Sequence, residues 1–192
     1  MSSSRLMFML QPDAGVRAAL EQLLVDTGLD VQLGESLFAP ANWHQSLSER
    51  IYDPTPAQVD GLLAVGAAVQ ATGSSLCLDR IDSALDDKGR IQVTLRGPGH
   101  NKASLLPVLT ALRGQLHSAG FAAIATGVTA HLTLSYHAPR LLPRRRLPEP
   151  LWWSFNELRL VLGNGHPYRY DVLGRWPLQP DPAPPQIQSR LF

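Results

Sequence analysis

Residues 129–136 read TAHLTLSY, and residues 42–48 read NWHQSLS. Both contain a histidine, any residue, a hydroxyl residue and a leucine. In a strand, positions i and i+2 share a face. His44 and Ser46 therefore project together, as do His131 and Thr133, while Leu47 and Leu134 point the other way into a core. One such motif is common in any sequence. Here each follows a leucine-rich helical stretch closed by glycine, VRAALEQLLVDTG (16–28) before the first and VLTALRGQLHSAG (108–120) before the second. A repeated supersecondary unit predicts two related lobes. The expected fold class is α+β, a bilobal pseudo-two-fold arrangement with two antiparallel sheets facing a central cleft and helices outside.

The remaining elements fit that frame. RLMFMLQ (5–11) reads as a buried strand, and the pattern turns helical from Asp13 to Gly28. A second helix lies within 53–73, with Thr55 as N-cap, Pro56 at the first helical position and Gly73 as terminator. SSLCLDRIDSAL (74–85) and RIQVTLRG (90–97) form a hairpin. A third helix covers 101–120, with Leu105, Leu109, Leu112 and Leu116 on one face and Pro107 expected near the first turn. FAAI (121–124) and HLTLSY read as strands, 138–150 as a proline-rich connector, and WWSFNELRLVLG and PYRYDVLGRW as the last two strands, turned by NGHP. Residues 1–178 are expected to form a single bilobal domain and 179–192 a proline-rich, disordered tail.

Composition narrows the function classes. A chain of 192 residues with 44% hydrophobic and 17% charged residues is ordinary for a soluble domain. A formal charge of +1 provides no global field, so any attraction to a polyanion is local. The single Cys77 excludes an internal disulfide and a cysteine zinc site, and its alternating context predicts burial. RLMFML is too short for a signal-peptide core, and no apolar run approaches the roughly 20 residues of a membrane span. The expectation is a cytoplasmic monomer with no membrane contact.

If the lobes face one another, two imidazoles and two hydroxyls surround one small site. Two histidines near neutral pKa supply a base and an acid in one turnover. Two hydroxyls donate to the non-bridging oxygens of an anion. The substrate this suits is a phosphodiester, handled without metal or cofactor.

The paired motif resembles that of the two-histidine (2H) phosphoesterase superfamily. The chain looks most like its bacterial 2′-5′ RNA ligase or RNA 2′,3′-cyclic phosphodiesterase family. RLMFMLQP, PANWHQSLS, TAHLTLSY and YRYDVLGRWPL resemble its opening strand, two motif regions and closing strand, covering roughly residues 5–178. The resemblance implies an enzyme that opens an RNA 2′,3′-cyclic phosphate end to a 2′-phosphate, and reversible joining of RNA ends through a 2′-5′ linkage. It implies His44 and His131 as the acid–base pair, with Ser46 and Thr133 holding the phosphate. The chain departs from the family at Gln45, where a hydrophobic residue is usual, and a packing change facing away from the cleft is expected. It departs again at Tyr136, where many members carry arginine as a further cationic contact.

Other candidates have plainer readings. His117 is expected at the surface or at the core boundary, His166 in a turn, and His137 on the motif face only if the strand continues. RGPGHNK (96–102) brings His100 and Lys102 near a helix start, where a strand–helix connector is the simpler account. RRR (144–146) reads as a solvated connector with RNA-backbone contact as the alternative. Trp43 should enter the core, Trp152 and Trp153 cannot share a face, and Phe8 would line the cleft only by family analogy. Two rival functions remain: a catalytically weak RNA-end binding module, and a 2H enzyme acting on a small cyclic nucleotide or a cyclic ADP-ribose phosphate.

Overall fold

The computed structural model describes residues 3–182. Strand β1 (Arg5–Leu10) lies inside a five-stranded antiparallel sheet. It pairs along one side with β8 (Glu157–Asn164) and along the other with β2 (Gln45–Ser46) and β3 (Ile51–Tyr52), while β9 (Arg169–Pro177) flanks β8. Leu6, Phe8 and Leu10 join the main core, and Met7 and Met9 pack on the opposite side with Val161. Burial on both faces is why this strand is apolar from Leu6 to Leu10 instead of alternating. The second sheet has the order β6 (His131–Ser135), β5 (Ile91–Arg96), β4 (Ser74–Leu85), β7 (Arg145–Phe155), all antiparallel.

The two sheets share a topology. Helix α1 (Ala14–Thr27) lies between β1 and β2 in sequence, and the two strands pair antiparallel. Helix α4 (Asn101–Ser118) lies likewise between β5 and β6. That is the repeat visible in the sequence. The lobes are not the two halves of the chain, however. The first sheet opens and closes with the chain, and the second takes its middle.

Local chemistry explains most helix ends. Asp13 caps α1 by accepting from the Val16 amide at 2.8 Å. Gly28 ends it at φ 67°, and the short α2 (Leu29–Leu33), absent from the sequence reading, starts there. Thr55 and Gln58 form a reciprocal capping box on α3 (Pro56–Ala68). That helix stops well before Gly73, because Val69 is already extended at ψ 121°. Gly73 instead permits close approach: a Cβ there would meet the Phe155 carbonyl oxygen at 2.5 Å.

Three other expectations are corrected. Pro107 lies at the seventh residue of α4, past the first turn, so the Ala103 carbonyl loses its usual amide donor. Residues 122–124 form a 3₁₀ turn and not a strand, because the Phe121 amide still bonds the Leu116 carbonyl of the preceding helix. The connector at 138–150 becomes strand from Arg145 onward. Its Pro148 and Pro150 are tolerated because β7 is an edge strand whose pairing to β4 shifts register between Leu78 and Arg80. The expected tail at 179–192 lies outside the described residues from 183 on, but Gln179 bonds the Ala71 carbonyl and the Gly73 amide.

One buried clamp secures the start of α4. Asn101, 1% exposed, accepts from the Cys77 amide at 2.9 Å and donates to the Cys77 carbonyl at 2.7 Å. A Cβ at Gly97 would lie 1.6 Å from that carbonyl oxygen. RGPGHNK is thus a packed connector. Asn101→Ala leaves two buried backbone groups without partners and is expected to destabilise the fold by about 3 kcal/mol. Urea unfolding of the two proteins at one pH measures this.

Candidate active site

The first motif is barely a strand. A 3₁₀ turn at Pro40–Asn42 delivers the chain to Trp43, which is 1% exposed and belongs to the core. His44 follows just before β2. Beyond β2 the Leu47 amide bonds the Phe8 carbonyl, and the Phe8 amide donates to the Ser48 hydroxyl at 3.0 Å. With the chain held against β1, alternate residues His44, Ser46, Ser48 and Arg50 all line one cleft. His131 and Thr133, from β6, line the other wall of the same cleft, which has about 750 Å³ of open space. The four residues singled out in the sequence are therefore brought together.

The two histidines are held in the same way. His44 Nδ1 lies 2.8 Å from the Asn42 carbonyl, and His131 Nδ1 lies 2.9 Å from the Thr129 carbonyl. Each partner is two residues upstream. A carbonyl only accepts, so each Nδ1 carries a proton and leaves Nε2 as the free nitrogen of the neutral ring. Burial lowers the His44 pKa to about 4, with the Asn42 bond opposing and the charges of Arg50 and His131 adding to the fall. Burial also lowers His131, opposed by the Thr129 bond and reinforced by Arg96 and Arg50. Thr133 Oγ1 accepts from Gln92 Nε2 at 3.3 Å, which leaves its own proton available to a ligand.

Gln45 turns away from solvent, as expected, but its role is polar. It is fully buried. Its Oε1 accepts from the His131 amide at 2.7 Å, and its Nε2 donates to the Thr129 carbonyl at 3.1 Å and the Ser46 carbonyl at 2.8 Å. One side chain of the first motif thus binds the backbone on both sides of Ala130 and fixes the two lobes against each other.

Arg50 was not singled out in the sequence. Its even spacing from His44 was the available signal, since it extends the alternating face. The guanidinium is half-buried, interacts with the Tyr136 and Tyr52 side chains, and has no ion-pair partner among the described residues. Tyr136, on the opposite wall, shares the cleft with it.

Other candidates lie elsewhere. Phe8 is fully buried against Trp176 and does not line the cleft. Trp153 is in the core, and Trp152 is exposed and stacks with His100. Cys77 is free and buried. His117 falls in the last turn of α4, and His166 in the turn before β9. The arginine run is no free connector: Arg144 pairs with Asp82 at 3.2 Å, Arg146 with Asp79 at 3.6 Å, and Arg145 donates to the Thr27 carbonyl. Among the described residues no three His, Cys, Asp or Glu side chains converge to hold a metal, and no helix is long and apolar enough to cross a membrane.

No protein-family profile and no curated protein sequence matches the chain. Solved structures do. E. coli LigT in apo form superposes with a TM-score of 0.65 at 19% identity, covering 93% of this chain and 99% of LigT. The chain has the LigT fold. LigT complexed with 3′-AMP gives a TM-score of 0.68 at 20% identity, covering 92% and 99%. TT0787 of Thermus thermophilus gives 0.63 at 19%, again covering 92% and 99%. The bilobal α+β architecture expected from the paired motifs is thus a LigT-like fold along nearly the whole described chain, reached with little sequence in common.

Proposed function

We propose that this protein is a two-histidine phosphodiesterase that opens 2′,3′-cyclic phosphates at RNA ends to 2′-phosphates. The observation that carries the reading is the paired geometry: two imidazoles, His44 buried and His131 partly so, each held at Nδ1 by a carbonyl two residues upstream, each with a hydroxyl two residues downstream in the same cleft. The LigT fold supports it, as does the structure of LigT with a bound nucleotide, 3′-AMP.

Catalysis follows from the free nitrogens. The cyclic phosphate sits between the walls, with Ser46 and Thr133 donating to its non-bridging oxygens and Arg50 opposing its charge. One Nε2 takes a proton from water as the water oxygen bonds to phosphorus. The P–O3′ bond breaks, and the other imidazole, protonated, gives its proton to O3′. Charge is conserved, since one ring gains the proton that the other loses. When the 5′-hydroxyl of another RNA end replaces the water, the same steps join the ends through a 2′-5′ linkage, and run in reverse they cleave it.

The competent pair carries one proton. Because burial, and then the neighbouring cations, lower both rings, the free enzyme holds that proton only on the acid side of the ordinary value of 6.5. The expected kcat/KM profile falls as pH rises towards 6.5 and is already well down at neutrality. The kcat profile should fall at a higher pH, because the bound anion stabilises imidazolium. Arg50→Gln removes one of the depressing charges and should move the kcat/KM limb to higher pH. Initial rates between about pH 4.5 and 8 check both, and superimposable kcat and kcat/KM profiles would oppose them.

The deciding experiment is hydrolysis of an oligonucleotide ending in a 2′,3′-cyclic phosphate, in excess chelator, with the remaining phosphate located. Turnover to a 2′-phosphate is expected. A folded protein inert on this substrate and on a cyclic mononucleotide would leave only the RNA-end binding module.

A further inference from the structure

Beside the catalytic cleft lies a second chamber of about 740 Å³, sharing Arg50 and Tyr136 as a common wall. Arg5, Phe38, Tyr168 and Tyr170 also line it. Rings connect it directly to the chemistry: Tyr170 meets His44 edge-on at 5.2 Å between centroids, and Tyr168 meets Tyr170 at 5.4 Å. Arg5 lies over the Tyr168 ring at 5.5 Å and the Tyr52 ring at 5.9 Å. Neither Arg5 nor Arg50 has a carboxylate in ion-pair range among the described residues, and Arg5 Nε is buried without a hydrogen-bond partner. The protein's other clustered arginines, Arg80, Arg144 and Arg146, are all paired with Asp79 or Asp82.

Aromatic faces beside uncompensated guanidinium groups suit a base and an anion together. Arg50 already faces the catalytic cleft, and one reacting phosphate has no need of Arg5 in the next chamber. Resting on the function proposed above, we propose that this chamber binds the nucleoside that bears the reacting phosphate together with a second phosphate on its 5′ side. The Tyr168–Tyr170 wall takes the base, and Arg5 takes the 5′-phosphate. In an RNA end that phosphate is the link to the preceding nucleotide. The chamber would thus select RNA ends over a lone cyclic mononucleotide.

Binding tests this without turnover. Adenosine 2′-phosphate and adenosine 2′,5′-bisphosphate are titrated calorimetrically into the full chain. The bisphosphate is expected to bind about tenfold tighter or more, the effect of one charge-assisted contact. Arg5→Gln should collapse that ratio towards one, Arg5→Lys should retain part of it, and thermal unfolding confirms that both variants are folded. The ratio of KM values for adenosine 2′,3′-cyclic phosphate with and without a 5′-phosphate should move in parallel. Equal affinity of the two ligands for the wild type, or an undiminished ratio in folded Arg5→Gln, overturns the chamber while leaving the phosphodiesterase intact. Failure of the underlying function looks different: neither ligand binds, neither cyclic substrate is turned over, and both proposals fall.

Discussion

His44→Ala and His131→Ala are each expected to lower turnover of a 2′,3′-cyclic phosphate about 10²-fold or more, because each removes one end of a concerted proton transfer. Groups that act in one step do not add. The double variant should therefore be little slower than the slower single one, and kcat should fall more than KM changes. Burst-free steady-state rates on the same oligonucleotide measure this, and near-wild-type kcat in either single variant would sink the two-histidine mechanism. The His44 replacement has a second readout. Its folded pKa of about 4 lies below the ordinary 6.5, so the unfolded chain binds more protons in that window. Stability is fully present above 6.5 and is lost as pH falls towards about 4. The loss is on the order of 3 kcal/mol, and His44→Gln should remove it from the pH dependence of urea unfolding.

Gln45→Ala carries the other large effect. The substitution strips the partner from the His131 amide and one of two donors from the Thr129 carbonyl, and opens a void where the side chain was fully buried. Unpaired buried groups cost about 1–3 kcal/mol each, so a destabilisation of about 3 kcal/mol is expected after relaxation. The Thr129 carbonyl also accepts from His131 Nδ1. Once it loses Gln45, the ring's orientation loosens, and kcat should fall about tenfold even below the unfolding transition. Gln45→Leu fills the void and leaves the His131 amide without its partner. It should recover part of the stability and little of the rate. Equal recovery of both would show that packing alone matters there.

What could be read in the chain was whatever recurs over short distances. Alternation around His44 and His131, a glycine after each leucine-rich helix, the helical turn from Asp13, the Thr55 cap and the hairpin at 74–97 are all relations among near neighbours, and all held. The misreadings came from segments whose conformation is imposed from elsewhere. Residues 145–150 look like a proline-rich connector until β4 offers them an edge to pair with. FAAI resembles a strand until the end of α4 winds it into a 3₁₀ turn. Trp43 at 1% exposure and His44 at 8% show the local pattern at its best, since a core anchor beside an extended chain sets which way the next side chain points.

The sequence by itself determined the two catalytic candidates, their hydroxyl partners, and the α+β repeat that carries them, because a period of two residues is a property of the chain alone. Only the tertiary structure decided that the first sheet is closed by β8 and β9, that Gln45 ties one motif to the backbone of the other, and that, among the described residues, Arg50 and Arg5 stand without counter-charges beside the cleft. Those facts depend on contacts between residues as far apart as Gln45 and His131, or Arg5 and Tyr168. No local periodicity encodes such pairings, since they exist only once the core has brought the two lobes face to face.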